Sequence, residues 1–107
     1  MVERVKQHLQ LAHIRLATPQ SHKEHLITTV AVCAGSGDSV LQAVSADLLL
    51  AGEMTHHRVL EAVSRGSCVI LCDHSNTERG FLREFKERLH KTLDNGVEVS
   101  VSLTDKD

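Results

Sequence analysis

The side chains best able to do chemistry in this 107-residue chain fall in three short segments: Gly35-Ser36-Gly37-Asp38-Ser39, Gly52-Glu53-Met54-Thr55-His56-His57, and Asp73-His74-Ser75-Asn76-Thr77-Glu78-Arg79-Gly80. In the third, His74 leaves an apolar run and Glu78 follows one helical turn later, so both can face a common point. Imidazole with carboxylate is a donor pair suited to a borderline divalent metal. The same residues also read as a helix start. Ser75-Asn76-Thr77-Glu78 has capping-box spacing, in which Ser75 caps the helix and Glu78 reaches back to its amide. On spacing alone the cap is the favoured reading.

Glu53 and His57 repeat the pattern in reverse, acid first and imidazole four residues later. They could relay protons or support a metal indirectly. The plainer reading is a solvated first helical turn, with Glu53 complementing the helix dipole and His56 and His57 facing water. In Gly35-Ser36-Gly37-Asp38-Ser39, backbone amides between a strand and a helix could cradle a phosphate or carboxylate, with Gly37 permitting close approach. No lysine follows, so this is not a Walker loop; a tight turn capped by Asp38 or Ser39 accounts for it equally well. The segment does not match GxSxG, which argues against Ser36 and Ser39 as nucleophiles. Cys33 sits within an apolar run rather than at its end, which argues against a catalytic thiol. A Cys72-His74 zinc pair has only two local ligands, and Cys72 should point into the sheet if Cys68 and Ile70 do.

These segments need a frame to bring them together. Val2, Val5 and Leu9 recur at helical spacing, predicting a short amphipathic helix over residues 2–11. His13 to Ala17 alternates as a half-buried strand does, and Thr18 to Lys23 reads as a loop. Three near-continuous apolar runs follow, Thr29–Ala34, Asp47–Ala51 and Cys68–Cys72, of the kind buried on both faces of a parallel sheet. Helical patterns lie between and after them, near Ser39–Val44, over Thr55–Arg65 and over Asn76–Leu93, the last with an apolar face expected to pack on the sheet. A helix stop at Asn95-Gly96 precedes a final alternating strand, Val97–Val101. The expectation is a single domain over residues 1–107, a three-layer α/β/α arrangement around a mixed, mainly parallel sheet. In such sheets ligands gather beyond the carboxyl ends of the strands, where all three chemical segments fall.

Composition narrows the function. With 41 % hydrophobic and 24 % charged residues the chain is an ordinary globular sequence. A net charge of −2 and an isoelectric point near 6.4 provide no positive field for nucleic acid. Phe81 and Phe85 are the only aromatic residues of the Phe, Tyr and Trp class, too few for a stacking platform. No apolar run approaches the roughly 20 residues that span a bilayer, so a soluble protein without a membrane partner is expected. Cys33, Cys68 and Cys72 lack CxxC spacing and read as buried thiols in a reducing compartment, cytoplasmic or nuclear. The chain opens directly in helical periodicity without a signal peptide, as a piece of a longer protein would.

Three ordered motifs then carry a likeness: Val32-Cys33-Ala34-Gly35-Ser36-Gly37-Asp38-Ser39-Val40-Leu41, Leu49-Leu50-Ala51-Gly52-Glu53-Met54-Thr55-His56-His57, and Val69-Ile70-Leu71-Cys72-Asp73-His74-Ser75-Asn76-Thr77-Glu78-Arg79-Gly80. Together they resemble the C-terminal half of the NGG-one-interacting factor three-like family, particularly its animal members, over about residues 4–105. The resemblance implies a fold of two intertwined α/β repeats with a dinuclear metal site between them, two divalent ions per full-length subunit, with zinc, iron or manganese all compatible. His74 and Glu78 match the family's two C-terminal metal ligands, which reverses the preference for the cap. Glu53 and His57 match an acid and a histidine near the metals, the residues expected to handle protons. The family's other ligands, a histidine pair and an aspartate, belong to the N-terminal half, and His56-His57 is not that pair. The resemblance therefore implies a metal-dependent hydrolase when full length, under the label type 2 GTP cyclohydrolase I, with an open substrate. It further implies that a chain with half the site is inactive alone. An alternative is a non-enzymatic module binding transcriptional regulators. The family also resembles ring-like oligomers assembled from dimers.

Overall fold

The computed structural model describes residues 1–20, 26–94 and 96–105. Its regular elements are α1 (Val2–Leu9), β1 (Arg15–Ala17), β2 (Val30–Ser36), β3 (Leu48–Glu53), α2 (His56–Ser64), β4 (Cys68–Leu71) and α3 (Leu82–Thr92), with two single-turn 3-10 segments, Ser75–Thr77 and Arg79–Phe81, ahead of α3. The four strands form one sheet in the order β1-β4-β3-β2, with β2, β3 and β4 parallel and β1 antiparallel to β4. The mixed, mainly parallel sheet expected from the sequence is present.

Alternation within the central strands divides the core. Leu49, Ala51, Val69 and Leu71 face one side, where Ala62 of α2 and the turn residue Leu41 pack on them. Leu48, Cys68, Ile70 and Cys72 face the other, covered by Val5 of α1. Side chains on a strand point alternately to opposite faces, so two apolar runs with no polar interruption require cover on both sides. Burial of each such leucine or isoleucine is worth about 1.5–3 kcal/mol. The three layers are therefore α1, the sheet, and α2.

At the opposite end of the sheet from the chemical segments, Asp47 holds two chain entries together. Its carboxylate accepts hydrogen bonds from the backbone N–H and hydroxyl groups of both Thr28 and Thr29, at 2.6–3.0 Å. The backbone N–H of Asp47 donates in return to Thr29 Oγ1 at 2.9 Å. The Thr28 hydroxyl, followed by the other three donors, holds the Asp47 carboxyl far below the usual carboxylate range.

Several expectations are corrected. β2 is an edge strand with Val30 and Val32 exposed, so only β3 and β4 are buried on both faces. Residues 39–44 form turns rather than a helix. Gly37 O accepts from Leu41 N–H and Leu41 O from Val44 N–H, separate closures of a segment too short to propagate a helix. The helix predicted over Asn76–Leu93 starts only at Leu82, after the two 3-10 turns. It does not pack on the sheet: no residue of α3 is buried, and Phe81, Leu82, Phe85 and Leu93 are exposed. Val97–Val101 forms no strand and pairs with no sheet edge among the described residues.

The radius of gyration, 16.5 Å, exceeds the roughly 13 Å of a compact chain of this length, consistent with principal extents of 56 × 28 × 24 Å. Residues 21–23 of the predicted loop and Asn95 of the predicted helix stop lie outside the described residues. Gly96 N–H does close a turn on Leu93 O at 2.9 Å. Among the described residues no helix is long and apolar enough to cross a membrane.

A histidine between two carboxylates at the strand ends

The parallel strands deliver their carboxyl ends to one rim. β3 ends on Glu53, β2 on Gly35-Ser36, and the chain leaving β4 passes through Asp73, whose φ of 67° swings it back over the other two. A left-handed backbone is uncommon for a residue with a side chain, and here it turns His74 and the following 3-10 turn across the sheet end. Asp73 is anchored by Arg15 of β1, Nη2 to Oδ1 at 3.0 Å. Asn76 adds a tie, its Nδ2 donating to Cys72 O at 2.9 Å, and Arg79 Nη1 donates to Asn76 Oδ1 at 2.6 Å.

The result places His74 between two acids. Its Nδ1 lies 2.8 Å from Glu53 Oε1, and its Nε2 lies 3.3 Å from Glu78 Oε1, with all three side chains about half exposed. Glu53 supplies a hydrogen-bond partner that fixes the ring, and its carboxylate holds the His74 pKa above the ordinary histidine value. Partial desolvation opposes this, and the Glu78 charge adds to it. With Nδ1–H directed to Glu53, the neutral ring would turn the Nε2 lone pair toward the Glu78 carboxylate, acceptor against acceptor. A positive charge resolves the conflict, either a proton on Nε2 or a cation between the two donors.

Backbone geometry leaves room for this pair. Gly35 has a φ of 66°, and a Cβ there would lie 2.7 Å from Glu78 Oε1 and 2.8 Å from His74 Nε2. Only glycine leaves the space in front of both donors open. The donor chemistry and this clearance fit a divalent ion held by His74 Nε2 and Glu78. Glu53 sits on the opposite ring nitrogen and so cannot reach the same point. Consistent with two local donors, no group of three or more His, Cys, Asp or Glu among the described residues is placed to hold a metal ion.

The capping box does not form. His74 precedes a 3-10 turn that begins at Ser75, no side chain caps it, and the Glu78 carboxylate faces His74 instead. His57 lies exposed on the first turn of α2, its ring centroid 6.0 Å from that of His56, and it makes no hydrogen bond to Glu53, His74 or Glu78 among the described residues. Asp38 accepts a hydrogen bond from Thr55 N–H at 2.8 Å, which ties the glycine-containing turn to the start of α2. Cys72 shares the α1 face with Cys68 and Ile70, as its alternation implies, and burial pushes both thiols up in pKa. Cys33 is only half-buried, which corrects its reading as a buried thiol.

Two participants were missed by reading spacing alone: Gly52 and Thr77. A Cβ on Gly52 would come within 2.7 Å of Gly35 O and 2.8 Å of Thr77 Oγ1. A signal existed, since Ala34-Gly35 and Ala51-Gly52 place an Ala-Gly pair at the same end of two neighbouring parallel strands.

Fold and rim together define a mixed α/β domain with a histidine–carboxylate cluster beyond the carboxyl ends of its parallel strands. The family described as Duf34/NIF3 (NGG1p interacting factor 3) matches residues 1–107, and the chain belongs to it. It is 55 % identical over its whole length to the rat protein called NIF3-like protein 1 and 53 % identical to the human one, covering 29 % of each. It is 43 % identical to the yeast (Saccharomyces cerevisiae) protein called NGG1-interacting factor 3, covering 38 % of that protein. The chain thus spans less than a third of the length of its mammalian relatives. In fold it is similar to a Bacillus cereus protein related to NIF3, with a TM-score of 0.78 at 24 % identity over 98 % of this chain and 30 % of the other.

Proposed function

We propose that His74 and Glu78 supply one part of a divalent-metal site in the longer protein, a dinuclear centre serving hydrolysis of a substrate still to be identified. The observation that carries this reading is the Nε2–Oε1 pair, two acceptors 3.3 Å apart above a glycine with no side chain to fill the space. A divalent ion bound there would supply Lewis acidity and lower the pKa of a coordinated water. His74 holds through Nε2 and Glu78 through its carboxylate. Glu53, hydrogen-bonded to Nδ1, orients the ring and raises its basicity, the usual part of a carboxylate behind a metal-binding histidine. His57, exposed on the first turn of α2, is the second residue assigned to proton handling in the longer protein. Two donors leave most of a coordination sphere to water, so the 107-residue chain holds metal weakly and is inactive alone. The free thiols suit a cytoplasmic or nuclear setting.

The test compares metal content and turnover in the full-length protein. His74→Ala and Glu78→Ala should each lower bound metal and abolish hydrolysis of phosphate-ester and nucleotide substrates. A fully metallated wild-type protein that hydrolyses none of them would remove the hydrolase part of the reading.

A second reading, a module that binds transcriptional regulators, is favoured by the exposed face of Phe81, Leu82 and Phe85 on and beside α3. The name of the yeast relative, NGG1-interacting factor 3, points the same way. Partner binding that survives metal chelation and is lost in Phe85→Asp would separate this role from the metal chemistry.

A further inference from the structure

Thr77 lies between the two donors in sequence and is turned toward the ends of β2 and β3. Its hydroxyl accepts a hydrogen bond from Gly35 N–H at 2.8 Å and donates one to His74 C=O at 2.8 Å. The backbone N–H of Thr77 closes the same turn on His74 O at 3.2 Å. Around this link the packing has no slack. A Cβ on Gly52 would meet Thr77 Oγ1 at 2.8 Å and His74 Cα at 2.9 Å, and a Cβ on Gly35 would meet both donor side chains.

The Gly35 amide needs such a partner. It sits where the β2–β3 register breaks between Cys33 and Ser36, at the end of an edge strand, so the sheet ladder does not supply one. The turn needs it equally. Ser75–Thr77 is a single 3-10 turn with no side-chain cap, a poor structure to hold two ligands in register by itself.

We propose that Thr77 is a positioning residue for the His74–Glu78 pair: its hydroxyl clamps the ligand-bearing turn onto the end of β2, so that Nε2 and Oε1 face one point above Gly35. The metal consequence rests on the site reading given above, whereas the clamp is a property of the metal-free chain. Thr77 touches neither donor atom and acts through the turn that carries them.

The experiment uses the 15N-labelled 107-residue chain with Thr77→Val, which keeps the side-chain shape and removes both hydroxyl hydrogen bonds, and with Thr77→Ser, which restores them. Three quantities are read: Gly35 amide exchange and the His74 ring resonances without metal, and, in the full-length protein carrying the same substitutions, affinity for zinc chloride by titration calorimetry. Thr77→Val should speed Gly35 exchange, move the His74 ring signals away from their Glu53-bound positions, and weaken zinc binding by about 10–100-fold, the usual penalty for disturbing the support of a ligand. Thr77→Ser should return all three toward wild type, which loss of bulk packing would not predict. A folded Thr77→Val chain with unchanged exchange and ring signals overturns the clamp whatever zinc does, as does a serine variant that behaves like valine. If the wild-type full-length protein takes up no zinc while the metal-free readouts change as expected, the clamp stands and the metal-site reading fails. Should Thr77→Val not fold, Thr77→Ala carries the same expectations without the added methyl.

Discussion

The rim at the strand ends and the C-terminal segment are built from equally regular sequence, yet among the described residues the rim is fixed from three strands while α3 has no buried residue. Around His74, contacts arrive from β1 through Arg15, from β2 through Gly35, and from β3 through Glu53 and Gly52. Beyond Gly80, α3 has a clear apolar stripe and no buried residue. Phe81 stacks on Phe85 at 6.1 Å, and Arg88 lies over the Phe81 ring, so these aromatics cover one another while remaining half exposed. Val97–Val101 keeps a strand's alternation without a strand's partner. The difference teaches that amphipathic pattern states what a segment is able to bury, while the presence of something to bury it against is a separate condition. A segment of less than a third of its mammalian relatives' length meets that condition at one end and not at the other.

The widest contrast should appear in the core. Leu49, 1 % exposed between β2 and β4, should cost about 2–5 kcal/mol when cut to alanine, with little change in the slope of denaturant unfolding. Phe85→Ala on α3 should stay within about 1 kcal/mol, because the ring has little buried contact to lose. Equal losses at the two positions in urea titrations would mean that α3 is packed in solution, and the comparison would collapse.

A smaller contrast separates two glycines. Gly52→Ala forces a methyl against backbone and the Thr77 hydroxyl and should cost about 1–3 kcal/mol. Gly80→Ala meets nothing within 4 Å and should be neutral or slightly stabilising. Thermal melts of the pair would show whether the rim is as tightly fitted as its distances state; a harmless Gly52→Ala would say that it is not.

The smallest effect concerns the far end of the sheet and pH. The Asp47 carboxyl is depressed by four donors in the folded chain. Its contribution is therefore present above the ordinary carboxylate pKa and is lost as pH falls through the lower folded value. Asp47→Asn should lower stability at neutral pH and flatten its decline on acidification. An unchanged acid slope in the variant would assign the decline to other carboxylates.

Much of the fold was legible because its signals are local. Leu48 to Leu50 and Cys68 to Leu71 announce buried strands through unbroken apolar composition, and Val59, Ala62 and Val63 announce α2 through spacing. Residues 39–44 misled for the same reason: an apolar pattern was present, but Leu41, buried to 2 % exposure, and half-buried Val44 satisfy it from a segment of turns. At the site, His74 and Glu78 were visible as a spaced pair, but spacing preferred the cap. A capping box and a ligand pair differ in where one carboxylate points, and here it turns to His74 across space that Gly35, on another strand, leaves open.

Taken by itself, the amino-acid sequence determined the β3–α2–β4 unit, the two-sided burial of those central strands, and the family to which the chain belongs. Each follows from short-range periodicity or from ordered motifs. Tertiary structure alone decided that Glu53 meets His74 through Nδ1, that Gly35 clears the space before Nε2 and Glu78, that Thr77 bridges the turn to β2, and that α3 stands uncovered. These are distances between residues brought together by parallel strand register, and one strand's sequence carries no measure of its separation from another's.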